Sequence, residues 1–244
     1  MTAPRKRADM LLVERGLFES RARAQAAIDA GLVTANGKPV AKPSETIATD
    51  AVIDAQPAHP WVSRGGVKLA AALAHYPIEV EDRVCLDVGS STGGFTEVLL
   101  AHGAALVFAV DVGRAQLHPS LHDHPRIVSM EETDIRGLQG KRLPQRREIV
   151  VIDCSFISLK SVLPAALELA AARMHLLALI KPQFEATQKS AKKGIVRDAA
   201  VRRAVCDDIA AFAAGLSCTD IDVFASAITG GDGNAEFFLG ARRG

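Results

Sequence analysis

The sequence predicts an α/β protein: a mostly parallel sheet wrapped by helices, with a small basic α+β segment ahead of it. Three observations carry this expectation. Short apolar runs alternate with helical stretches through most of the chain, the order of a doubly wound sheet. One run, Val84 to Val88, breaks on Gly89, Gly93 and Gly94 and restarts at helical spacing from Phe95 to Leu100. Two late runs, Ile221 to Ile228 and Glu236 to Gly240, lie close together and suggest a closing antiparallel hairpin.

Length and composition bound the answer. The chain has 244 residues, 48% of them apolar, enough for one large domain or a medium and a small one. Its net charge is +1, so any affinity for nucleic acid must come from local patches. Cys85, Cys154, Cys206 and Cys218 show neither a CxxC pair nor metal-ligand spacing, and read as buried thiols of a reducing cytosol. The opening Met-Thr-Ala-Pro-Arg-Lys-Arg has no apolar run behind it, unlike a secretory signal. Val162 to Ile180 is the greasiest region, but Pro164, Glu168, Arg173 and His175 make it too polar to span a bilayer.

In chain order, Leu11, Leu12, Arg15 and Gly16 predict a short helix ended by glycine. Ser20 opens a second helix, with Ala22, Ala26, Ala27 and Ile28 inward and Arg21, Arg23 and Gln25 outward, and Gly31 ends it. Leu32 to Thr34, Asn36-Gly37 and Lys38 to Val40 read as strand, hairpin turn and strand. Thr46, Ile47 and Asp50 to Ile53 continue extended. Residues 1–43 hold eight Lys or Arg against four acids, so a basic excess is concentrated there. Pro57 and Pro60 stiffen a linker over 57–62, which separates a domain at 1–56 from one at 63–244. Ser63 is placed to cap an alanine-rich helix to His75, with Arg64 and Lys68 one turn apart on one face.

The glycine loop after Val88 lets the backbone approach a ligand, and the helix behind it offers unpaired N–H groups. A second apolar run, Leu106 to Val112, contains Asp111, about 20 residues past the loop, where an acid bonds a ribose diol. This layout fits NAD and S-adenosylmethionine alike. Ile127 to Met130 is a third strand, followed by Thr133-Asp134-Ile135-Arg136. Ile149 to Ile152 is a buried strand ending on Asp153, Leu163 to Ala172 a helix, and Leu176 to Ile180 a strand ending on Lys181. Asp153, Lys181, Glu236 and Lys68 thus stand at the edges of these elements, where ligands of doubly wound sheets bind. His118, His122 and His124 are irregularly spaced among prolines and read as a surface turn rather than a metal site.

The pattern Arg7-x-Asp9-x-x-Leu12…Gly16…Ser20-Arg21-x-x-Ala24…Ile28…Gly31-x-Val33-x-x-Asn36-Gly37 resembles the S4 RNA-binding domain over residues 6–54. That resemblance implies RNA-phosphate contacts from Arg7, Arg21, Arg23 and Lys38. Lys68…Asp153…Lys181…Glu236, in this order, resembles the tetrad of FtsJ-like ribose 2′-O-methyltransferases. The combination is similar to the TlyA family of rRNA cytidine 2′-O-methyltransferases, also labelled haemolysins. It implies a Rossmann-like seven-stranded methyltransferase fold, S-adenosylmethionine as cofactor, no metal, and ribosomal RNA or ribosomal subunits as partner, in the cytoplasm and away from membranes. Carried over singly, Asp87, Gly89, Gly93 and Phe95 fall in the cofactor loop, Asp111 at the cofactor ribose and Asp134 near the adenine amine. Lys181 falls at the 2′-hydroxyl as base or fixed charge, with Lys68 beside it and Asp153 and Glu236 orienting the lysines. Thr92 and Phe95 stand where FtsJ enzymes usually have Pro and Trp. Arg64 is expected to bind RNA, and the basic segment Gln188 to Arg203, with Lys189, Lys192 and Lys193 and with Gly194 as hinge, to clamp RNA or close over the cofactor. Two competing classes are an NAD-dependent oxidoreductase, which explains only the glycine loop, and a membrane-acting toxin.

Overall fold

The computed structural model describes residues 3–138, 147–186 and 194–244. The chain divides into two compact units, Met1–Pro60 and Trp61–Gly244.

Unit 1 runs β1 (Arg5–Arg7), α1 (Ala8–Glu14), α2 (Arg21–Asp29), β2 (Val33–Ala35), β3 (Lys38–Pro39), β4 (Thr46–Ala48) and β5 (Ile53–Ala55). The hydroxyl of Ser20 caps α2 by accepting from Arg23 N at 3.3 Å. Asn36 and Gly37, with φ of 51° and 73°, make the tight turn that sets β3 against β2, and β5 pairs on the other side of β2. One strand carries no sequence signal, and one expectation changes. Arg5–Arg7, three basic residues without apolar alternation, form a strand by pairing with β4. On α2 the buried side is Ala24, Ala27 and Ile28, while Ala22 is exposed. These join Leu11, Leu12, Phe18, Val33 and Ile47 in a small core.

Unit 2 runs α3 (Arg64–His75), β6 (Val84–Val88), α4 (Gly94–Ala101), β7 (Leu106–Val110), α5 (Pro119–His122), β8 (Ile127–Met130), a 3-10 turn (Ile135–Gly137), β9 (Arg147–Ile152), α6 (Leu159–Leu169), β10 (Ala170–Ile180), α7 (Pro182–Glu185), α8 (Ala199–Gly215), β11 (Thr219–Ala225) and β12 (Phe237–Arg243). The seven strands lie in the order β11-β12-β10-β9-β6-β7-β8. β12 is antiparallel to both its neighbours, while β10, β9, β6, β7 and β8 are mutually parallel. Both faces of the sheet are covered: Leu86, Val150 and Leu176 face one apolar cluster, and Cys85, Ile149 and Leu177 the other. That two-sided burial explains why these strands read as unbroken apolar runs.

The helix expected over 163–172 is displaced: α6 starts at Leu159 and the strand begins already at Ala170. The alanines at 170–172 favour helix intrinsically, but tertiary pairing overrides that weak preference. Met174 pairs with Arg243 on β12, and the Arg243 guanidinium donates to the carbonyls of Leu167 (2.8 Å) and Ala171 (3.1 Å). Ser63 occupies the N-cap position of α3, yet its hydroxyl makes no capping bond.

Candidate active site

The strand C-termini of the parallel sheet open onto a cleft of about 520 Å³, within the range of small-ligand sites. Gly89, Ser91, Asp111, Val112, Asp134 and Asp153 are among its walls. Gly89 has φ +83°, and a Cβ there would lie 2.6 Å from the carbonyl oxygen of Asp153, so only glycine lets β6 turn against β9. Asp111, just past β7, is fixed from two sides. Its Oδ2 accepts from Ser91 N at 2.8 Å and its Oδ1 from Gly113 N at 2.7 Å. The carboxylate therefore belongs to the glycine loop as much as to its own strand, and its other lone pairs remain for hydroxyl donors. Asp134 lines the same cleft, caps the 3-10 turn and grips the Arg136 guanidinium, which holds its carboxyl below the usual range.

Three residues expected in the cofactor loop do not line this cleft. Gly93, at φ +90°, is the N-cap of α4, and a Cβ there would lie 2.4 Å from the Leu121 side chain. It is a packing glycine. Phe95 is buried in the core, its ring 6.2 Å from that of Phe238, because the first turn of α4 faces inward. Asp87 is completely buried beneath the loop. Its Oδ2 accepts from the Thr96 hydroxyl at 2.6 Å, and its Oδ1 has no hydrogen-bond partner among the described residues. Burial first, then the nearby charges of Asp153 and Asp111, push its carboxyl up to about 7 against the Thr96 bond.

The four candidate catalytic residues gather at the same sheet edge as two ion pairs. Lys181 Nζ lies 2.6 Å from Asp153 Oδ1 and donates to Ser155 Oγ at 2.8 Å. Lys68 Nζ lies 2.7 Å from Glu236 Oε2. The register explains the convergence. Asp153 and Lys181 follow the last residues of adjacent parallel strands. Because Ile180 pairs with Phe237, the preceding Glu236 stands opposite Lys181 across the antiparallel β10–β12 ladder. Lys68 reaches Glu236 from the buried face of α3. Both lysines and Glu236 are buried, so each charge needs its partner.

Several neighbours escaped sequence reasoning. Ser155 follows Asp153 by two residues, and its place after a strand end was the available signal. Phe156 is 90% exposed with φ +64°, a strained conformation for an aromatic residue, and it lines the cleft. Its ring sits 5.0 Å from that of Phe184 on α7. Glu185 accepts from Ser158 Oγ at 2.5 Å and Leu159 N at 2.7 Å, tying the loop after Asp153 to the helix after Lys181. Cys154 also lines the cleft, but burial pushes its thiol up to about 12, which leaves it neutral and poorly nucleophilic.

The candidate RNA contacts divide. In unit 1, Arg7 and Arg21 are both held by Asp9, and Lys38 lies exposed on β3. Arg23 is partly buried on α2. In unit 2, Arg64 is exposed and donates to the carbonyl of Thr229. Lys189, Lys192 and Lys193 lie outside the described residues. No group of His, Cys, Asp or Glu among the described residues has the arrangement of a metal site. No helix among them is long and apolar enough to cross a membrane.

A seven-stranded sheet with one reversed strand and a glycine loop over its cleft defines the methyltransferase class of Rossmann-like folds. Comparison with known proteins narrows this. Residues 61–243 match the family model "FtsJ-like methyltransferase" and residues 6–53 the model "S4 domain". The chain is 44% identical to "16S/23S rRNA (cytidine-2'-O)-methyltransferase TlyA" of Mycobacterium tuberculosis, over 98% of this chain and 91% of that one. It is 35% identical to "Hemolysin A" of Brachyspira hyodysenteriae, over 95% and 97% of the two chains. The solved structure "Putative hemolysin from Streptococcus thermophilus" superposes with a TM-score of 0.78 at 38% identity, over 98% of this chain and 89% of that one. The chain belongs to the FtsJ-like methyltransferases, in the TlyA family that carries an S4 domain ahead of the methyltransferase domain.

Proposed function

We propose that this chain transfers a methyl group from S-adenosylmethionine to the ribose 2′-hydroxyl of a cytidine in ribosomal RNA. The observation that carries the proposal is the pair of buried lysine–carboxylate bridges, Lys181–Asp153 and Lys68–Glu236, at the sheet edge beside the cleft. The residues present fit the cofactor. Asp111, its two oxygens oriented by backbone N–H groups, is set to accept from a ribose diol, and Val112, Ile135 and Asp134 offer an apolar slot with an acceptor for an adenine amine. When bound, the cofactor supplies a methyl carbon on a positively charged sulfur, already a strong electrophile.

What the protein must add is a ribose oxygen held in line and relieved of its proton. Lys181 is the group for that oxygen. Asp153 and Ser155 fix its amine on two sides, so it meets the hydroxyl with little loss of freedom. As an ammonium it stabilises the alkoxide that develops; as a free amine it takes the proton. Lys68 adds a second positive charge to the same edge, held by Glu236. Phe156 offers an exposed ring on the cleft wall, and a cytosine drawn from its stack would rest on it.

Unit 1 supplies RNA affinity through Arg7, Arg21, Arg23 and Lys38, and Arg64 with the basic stretch of Lys189, Lys192 and Lys193 adds further phosphate contacts. Phosphate contacts of this kind position the substrate without reading its sequence. Such a protein works where ribosomes are, in the cytoplasm. An NAD oxidoreductase would leave the paired lysines without a task, and the hemolysin names belong to the relatives that bear them.

The direct experiment incubates the protein with methyl-labelled cofactor and with 16S rRNA, 23S rRNA and the assembled subunits in parallel. Label on cytidine, with the adjoining phosphodiester resistant to alkali, is expected in at least one of these. No incorporation in any, or label on a base, contradicts the proposal.

A further inference from the structure

Asp9, in the first turn of α1, is completely buried, and three side chains converge on it. Arg7 Nε donates to Oδ1 at 3.0 Å and Arg7 Nη2 to Oδ2 at 3.0 Å. Arg21 Nη2 and Nε donate to Oδ2 at 2.8 and 3.3 Å, and Gln25 Nε2 at 2.9 Å. The two guanidinium side chains stay 42% and 55% exposed. Their Nη1 groups have no partner among the described residues. These contacts draw its carboxyl well below the usual range, Arg7 first.

This arrangement is odd for a surface that attracts phosphate. An anion beside two phosphate-binding cations weakens their field, and burying it carries a desolvation cost. Counting charges alone, the surface would be better without it. Geometry supplies the compensation. Free arginine side chains lose rotamer freedom on binding, and a guanidinium already fixed on one edge presents its other edge in a set direction. Since one carboxylate serves both, it also fixes the spacing between them, and Gln25 locks the carboxylate itself.

We propose that Asp9 is a positioning residue for RNA: it sets Arg7 and Arg21 as one two-pronged clamp for neighbouring phosphates. The proposal rests on the reading of unit 1 as the RNA-binding part of the protein. It makes a prediction opposite in sign to charge counting: Asp9→Asn, which removes a negative charge, weakens RNA binding.

The test measures binding of purified 16S and 23S rRNA to the full-length chain across a KCl series, for wild type, Asp9→Asn, Arg7→Ala, Arg21→Ala and their combinations. Asp9→Asn is expected to bind about tenfold more weakly and with a shallower salt slope, since fewer phosphates are neutralised at once. In the Arg7→Ala/Arg21→Ala background, adding Asp9→Asn is expected to change nothing, whereas a merely structural role would add its own loss. Wild-type or tighter binding by Asp9→Asn, while the arginine variants lose affinity, overturns the proposal alone. Undiminished binding by both arginine variants overturns the RNA reading of unit 1, and the proposal with it. If Asp9→Asn does not fold, Arg7→Lys/Arg21→Lys decides: the charge is kept but the fork is lost, so weakened binding supports the clamp and wild-type binding overturns it.

Discussion

The two units handle charge in opposite ways. Unit 1 gathers half-exposed arginines around one buried carboxylate, and its Lys6–Glu14 pair is more than a third exposed on both sides. Unit 2 buries lysines with their own carboxylates at the end of a sheet closed on both faces. The sharpest contrast is between two carboxyls without accessible surface, Asp9 shallow beneath half-exposed guanidinium groups and Asp87 deep below the glycine loop. Asp9 and Asp87 are both wholly inaccessible, yet the first sits below the usual carboxylate range and the second is raised to about 7. Asp9 has two guanidinium groups and an amide; Asp87 has one hydroxyl and like charges nearby. Depth and partners together set the charge of a group: burial dominates at Asp87, the guanidinium bonds at Asp9.

The largest effect expected from this contrast is on stability. Glu236→Gln leaves the buried Lys68 ammonium without its counter-charge and should cost about 3–5 kcal/mol in urea unfolding. The matching change at an exposed pair, Glu14→Gln, should cost at most about 1 kcal/mol. Equal losses in the two variants would erase the distinction between the units.

Next comes the pH dependence of Asp87. Its folded carboxyl keeps a proton up to about 7, whereas an unfolded one loses it near pH ~4. Between those values the folded state binds more protons, so this group's contribution to stability falls as pH rises. Asp87→Asn should therefore gain on wild type between pH ~5 and ~7, by about 2–3 kcal/mol. A constant difference across that window would show that Asp87 is not protonated there.

The smallest of these effects is on cofactor affinity. Asp111→Ala removes a carboxylate already fixed by Ser91 and Gly113 and should weaken S-adenosylmethionine binding by roughly 1–3 kcal/mol by calorimetry. Unchanged affinity in the folded variant would take Asp111 out of the cofactor site.

Much of this was legible in the residues themselves. The turn at Asn36-Gly37, the strand–glycine–helix unit at Gly89 and the reversed late strand follow from local chemistry and apolar period. Asp153 and Lys181 were visible because each ends a buried run. What was hidden depends on partners far away in sequence. Arg5–Arg7 is a strand only because β4 lies beside it, and Ala170 opens a strand only because Arg147 on β9 pairs with it. Phe95 next to a glycine loop invites a ligand reading, but the facing of α4 sends it to Phe238. The pairing of Lys68 with Glu236 follows from the β10–β12 register, which no local pattern encodes.

The central claim is that Lys181 acts on the ribose hydroxyl rather than on binding, and single-turnover methylation of rRNA with cofactor and RNA both saturating tests it most directly. Lys181→Ala should react about 10²–10⁴-fold more slowly while both affinities stay near wild type. Lys181→Arg should be nearly as slow, because a guanidinium keeps its proton and its fork differs in shape from the amine held by Asp153 and Ser155. A wild-type rate for Lys181→Arg would leave only a fixed-charge role, and a wild-type rate for Lys181→Ala would contradict the assignment of the site.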